Sequence, residues 1–110
     1  MASFDHRLDT RVPTDFPVIM RTPLGNEVLR VTNLSFGGMR VSKGKTVLGQ
    51  RDEVDLRFRL PSGAGSIVCG AEVVYDSGKS LGIQFNGLSI LQMRVLDKFL
   101  AELIGENWFS

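Results

Sequence analysis

Between Val54 and Leu60 apolar and charged residues alternate without a break. Val54, Leu56, Phe58 and Leu60 fall on one side, and Asp55, Arg57 and Arg59 on the other. That period of two belongs to an antiparallel strand with one face on a core and the other in water. Such a strand needs partners, and the rest of the chain supplies them as short β-rich runs separated by turn residues. Phe16 to Arg21 is a first run, ended by Pro23-Leu24-Gly25-Asn26. Glu27 to Leu34 is a second, leading into Ser35-Phe36-Gly37-Gly38. Met39 to Ser42 is a short third, followed by a Gly/Lys loop through Gly49. After the hairpin loop Pro61 to Gly65, the residues Ile67, Cys69, Ala71, Val73 and Tyr75 share one face of a fifth strand. The turn Asp76 to Lys79 opens a sixth, with Leu81, Ile83 and Phe85 on a common face.

The last segment changes period. Leu88, Leu91, Val95, Leu96, Phe99, Leu100, Leu103 and Ile104 recur at steps of three and four, which predicts an amphipathic helix over about residues 88–104. Gly105 is placed to end it. The fold predicted is all-β with a C-terminal helix: a six-stranded antiparallel β-barrel plugged or flanked by that helix. Residues 1–15 show neither period, and Pro13 disfavours helix before it. They are predicted as a flexible arm, with the barrel domain in residues 16–110. Trp108 and Phe109 lie beyond the predicted helix end; packing back onto the barrel is favoured over anchoring a partner.

Composition narrows the function classes. One domain of ordinary size fits 110 residues, and 13 basic against 12 acidic side chains leave a net charge of +1. Long nucleic acids are usually met with a strong basic excess, so a compact anion fits better than a polymer. Cys69 is the one cysteine, which excludes an internal disulfide, and its place on the inward face reads as a small buried hydrophobe. No apolar stretch reaches the roughly 18 residues of a membrane span, and the polar N-terminus lacks the apolar core of a signal peptide. Neither membrane insertion nor export is expected, and the predicted location is cytoplasmic. One histidine and one cysteine far apart make neither a metal site nor a thiol catalyst. There is no nucleophile elbow, P-loop or HExxH motif, so a binding protein without a cofactor is expected rather than an enzyme. Arg57 and Arg59 read as a solvated strand face.

Two local features remain. Arg7-Leu8-Asp9-Thr10-Arg11 is an RxxxR pair in the arm, and Asn33-Leu34-Ser35-Phe36-Gly37-Gly38 is an NxSxxG turn between strands. Each alone is weak, because arginine pairs are common and Asn, Ser and Gly are ordinary turn residues. Together, in this order with a strand between them, they resemble the signature of the PilZ domain, the bacterial receptor for cyclic di-GMP. The runs VTNLSFGGMRV, EVDLRFRLP and GAEVVYDSGKSLGIQF and the closing helix are similar to that family's layout as well.

The resemblance implies a ligand site built from Arg7, Arg11, Asn33, Ser35 and Gly38, with His6, Gly37 and Arg40 as secondary candidates. Guanine presents O6 and N7 as adjacent acceptors that an arginine fork can meet bidentately, and a guanidinium plane can stack on a purine. Lysine offers the charge without the fork. Asn33 would turn its amide oxygen to guanine N–H donors; many relatives carry Asp there, a stronger acceptor. Ser35 would offer its hydroxyl to phosphate or base, and the two glycines would let the backbone approach closely. Arginine at the position of His6 favours two stacked ligand molecules in relatives, and a bulky apolar residue favours one; histidine fits neither pattern. The resemblance also implies a receptor whose arm orders over the barrel and signals to a protein effector of motility or exopolysaccharide production. The alternatives are a PilZ-like protein adaptor with weak or no nucleotide binding, and an OB-like single-strand binder, which would need aromatics on a basic groove.

Overall fold

A computed structural model describes residues 11–109, with side chains through Ile104. Six antiparallel strands close into a barrel: β1 (Val12–Thr22), β2 (Gly25–Leu34), β3 (Gly38–Ser42), β4 (Glu53–Leu60), β5 (Gly65–Asp76) and β6 (Ser80–Asn86). They follow one another around the ring in the order β1-β2-β3-β6-β5-β4. One helix, α1 (Ile90–Phe109), follows. The predicted architecture is therefore the observed one. In β4 burial alternates at every residue, with Val54, Leu56, Phe58 and Leu60 inside. A short turn of 3₁₀ helix at Pro61–Gly63 links β4 to β5.

Closure is uneven. β1 pairs with β4 only where Ile19, Met20 and Arg21 meet Arg57, Leu56 and Asp55. Inside, Phe58 bridges Phe16 and Phe85, with ring centroids 5.9 and 6.0 Å away. α1 contributes Leu96, Phe99 and Leu100, all buried in the same core. Each such side chain adds roughly 1.5–3 kcal/mol of transfer free energy. The helix starts on a capping box: the Gln92 N–H donates to Ser89 Oγ, and the Ser89 N–H donates to Gln92 Oε1. Gln92 Nε2 also donates to the Val68 carbonyl, 2.8 Å away, where β5 has no pairing with β6.

Four local readings of the sequence are corrected. β1 begins at Val12, so residues 12–15 belong to the barrel rather than to the arm; Val12 and Pro13 pair with Leu34 and Asn33, and a register shift before Phe16 accommodates the proline. Gly105 does not end the helix, which runs on to Phe109. Leu91 is 73 % exposed instead of facing the core, because the buried stripe begins further along at Leu96. Tyr75 does not share the inward face of β5. The pairing of β5 with β6 slips by one residue between Val73 and Tyr75. Side chains alternate strictly along a strand, so one extra residue turns the ring to the outside, where it is 48 % exposed.

Candidate ligand site

The strand register carries one line of residues around the outside of the barrel. Pro13 on β1 lies opposite Asn33 on β2, Asn33 opposite Arg40 on β3, Arg40 opposite Gly82 on β6, and Gly82 opposite Tyr75 on β5. Arg11, just ahead of β1, reaches back to this line and donates from Nη1 to Asn33 Oδ1 at 3.0 Å. The second arginine of RxxxR and the first residue of NxSxxG are thus in direct contact. Arg7 and His6 lie outside the described residues.

The turn after β2 is held by its own groups. Ser35 is buried; its N–H donates to the Gly38 carbonyl at 2.8 Å, and its Oγ accepts from the Gly38 N–H at 3.2 Å. The same hydroxyl stands 3.2 Å from the Gly38 carbonyl as a donor. Ser35 is therefore engaged in shaping the turn, rather than standing free as the motif alone suggests. The Phe85 N–H donates to the Gly37 carbonyl at 2.9 Å and fastens the turn to β6.

The two glycines differ. A Cβ on Gly38 would lie 2.0 Å from the Ile83 carbonyl oxygen, so close packing of β3 on β6 demands glycine there. A Cβ on Gly37 would meet nothing within 4 Å. Close backbone approach by an outside molecule is possible at Gly37, and at Gly38 the space is already taken by the barrel.

Arg40 is half-buried. Its guanidinium lies 5.5 Å from the centroid of the Tyr75 ring, and its buried Nε has no hydrogen-bond acceptor among the described residues. A donor left this way costs about 1–3 kcal/mol. Gly82 makes the approach possible: a Cβ there would come within 3.0 Å of the Tyr75 Cβ. The apolar alternation along β5 points Tyr75 to the core, so the sequence alone does not mark it as a neighbour of Arg40. The one signal against that placement is the pair Val73-Val74, two apolar residues in succession just before the ring. Nearby, Lys43 Nζ and Asp76 Oδ2 pair at 2.8 Å, and Lys43 with the Gly78 N–H holds the Asp76 carboxyl below its usual range.

The PilZ domain model matches residues 5–102. The chain belongs to the PilZ domain family. No curated protein sequence matches it. Solved structures share the fold at low identity. The PilZ domain of CeSA from a cellulose-synthesizing bacterium is 17 % identical with a TM-score of 0.62, covering 89 % of this chain and 98 % of that one. The PilZ domain of YcgR from Escherichia coli, with c-di-GMP, is 18 % identical with a TM-score of 0.67, covering 89 % and 91 %. The K. pneumonia MrkH–c-di-GMP complex is 20 % identical with a TM-score of 0.72, and the match covers 89 % of this chain but 52 % of MrkH. Among the described residues this PilZ domain has no helix long and apolar enough to cross a membrane.

Proposed function

We propose that this PilZ domain is a cytoplasmic, non-catalytic receptor for cyclic di-GMP, with Arg11, Asn33, Arg40 and Tyr75 forming the ledge on which the ligand lies. The carrying observation is the 3.0 Å bond from Arg11 to Asn33. It brings a guanidinium fork, able to meet guanine O6 and N7, beside an amide oxygen able to accept guanine N–H. Arg40 over Tyr75 adds a cation and a π-face in the same line, suited to stacking a purine against a nearby phosphate. Arg7, on the preceding arm, supplies the second fork. Family membership and the c-di-GMP complexes of YcgR and MrkH support the same ligand.

The ligand's phosphates and bases draw the arm against the barrel, and the altered outer surface is read by a protein effector of motility or exopolysaccharide production. Ordering the arm costs conformational entropy, and a few charge-assisted contacts of roughly 1.5–3 kcal/mol each offset it. Isothermal titration with cyclic di-GMP tests the reading. Micromolar or tighter binding by the parent, weakened about tenfold to a hundredfold in Arg11→Ala, is expected; absence of binding by the parent protein overturns it.

A further inference from the structure

The outer face of β4 carries its charges in an ordered series: Glu53, Asp55, Arg57, Arg59. Acids occupy one half and bases the other, and all four are exposed. Among the described residues none of the four has an ion-pair partner, although Arg21 stands across from Asp55 in the register. Exposed apolar side chains flank the centre of the series, since Ile19 at 40 % and Val68 at 52 % exposure lie on either side of Arg57. A shallow hollow of about 780 Å³ spans this wall, lined by Ile19, Arg21, Asp55, Arg57, Val68 and Gly70 among others.

Reversed, the series is its own complement. If two such walls face each other with their β4 strands antiparallel and centred on Leu56, Glu53 meets Arg59 of the second copy and Asp55 meets Arg57. The other two pairs follow by symmetry. The same operation sets Val68 over the bare backbone of Gly70 of the second copy, and Ile19 against the stem of its Arg21. Glu72, which stands opposite Glu53 in the register, then faces Ser66 instead of another acid. A two-fold interface of this kind uses one patch twice, which this series allows because every charge changes sign on reversal about Leu56. Twist lets facing sheets touch closely only near their crossing, where these positions sit. The barrel pairs its strands all the way around, so association by strand addition at an open edge is disfavoured and a face must be used.

We propose that this wall docks on the same wall of a second copy of the chain, forming a weak, salt-sensitive two-fold dimer. In the ring order β4 lies directly across from β3, so the dimer leaves Arg40 open on both copies.

Sedimentation velocity on the full chain, from roughly 5 to 500 µM, covers the range of a weak interface. A concentration-dependent dimer is expected, dissociating in 1 M salt, where the screening length falls to about 3 Å. Arg57→Asp and Asp55→Arg should each weaken it by about tenfold or more. The double variant restores opposite charges across the axis and should recover dimerisation to within about threefold. A parent chain monomeric throughout overturns the proposal. So does a dimer that survives either single reversal, or a double variant that stays monomeric with unchanged circular dichroism. A face made for an acidic partner protein gives that last outcome. Should one single variant fail to fold, Glu53→Arg, Arg59→Asp and their combination repeat the test.

Discussion

Arg40 and Tyr75 meet across a strand that lies between them. The guanidinium is 5.5 Å from the ring centroid, and β6 intervenes at Gly82, where it has no side chain to keep them apart. Stacking of a base on an aromatic ring contributes about 1–3 kcal/mol. Tyr75→Ala should therefore weaken cyclic di-GMP binding by roughly tenfold, while Tyr75→Phe, which keeps the π-face, should stay within about twofold. Titration calorimetry on both variants measures this; equal losses would assign the effect to the hydroxyl instead.

Arg11 and Asn33 share one hydrogen bond. Arg11→Ala removes a fork and should reduce affinity by about tenfold to a hundredfold, with Arg11→Lys recovering little of it. Asn33→Asp should tighten binding a few-fold, because a carboxylate accepts guanine N–H bonds more strongly than an amide. The same substitution strengthens the contact to Arg11, so the gain is smaller than for an isolated acceptor.

Gly37 and Gly38 differ in the space around them. Gly38→Ala forces a methyl to within 2.0 Å of the Ile83 carbonyl oxygen and should cost about 3 kcal/mol or more in urea unfolding. Gly37→Ala meets open space and should leave stability within about 0.5 kcal/mol. Reduced ligand affinity in Gly37→Ala, with unchanged unfolding, would mark that position as the one where ligand and backbone come close.

Burial, with a smaller contribution from the Asp55 carboxylate, pushes the Cys69 thiol from 9.0 up to about 11. The unfolded chain releases this proton at lower pH than the folded one, so stability should fall as pH rises from about 9 to about 11. Two units correspond to roughly 2–3 kcal/mol. Comparing the unfolding free energy of the parent and Cys69→Ala across that window isolates the effect from other titrating groups. The two curves should converge as pH rises.

Sequence patterning exposed the barrel because its cause is local: β4 alternates at every position, and the period changes near Leu88. Other features depend on partners distant in the chain. Val12 and Pro13 become strand because Leu34 and Asn33 are there to pair with them. The Gly/Lys loop after β3 conceals a buried Leu48 and a buried Thr46, whose hydroxyl donates to Glu27 Oε2 at 2.9 Å. Of the candidate site residues, Arg11 and Asn33 are legible from the motif, and their contact follows from the pairing of β1 with β2. Gly38 was legible as a glycine but not for its reason, which is the carbonyl of a strand far along the chain.

Whether residue 75 fills the interior or addresses the solvent is decided by a single extra backbone unit at Val74. Were the ladder to run on from Val73 without the bulge, Tyr75 would fall opposite Leu81 and point inward, baring the guanidinium of Arg40 with every motif residue unaltered. The pairing register at Val74, rather than any motif residue, thus decides whether the outer line ends on an aromatic ring.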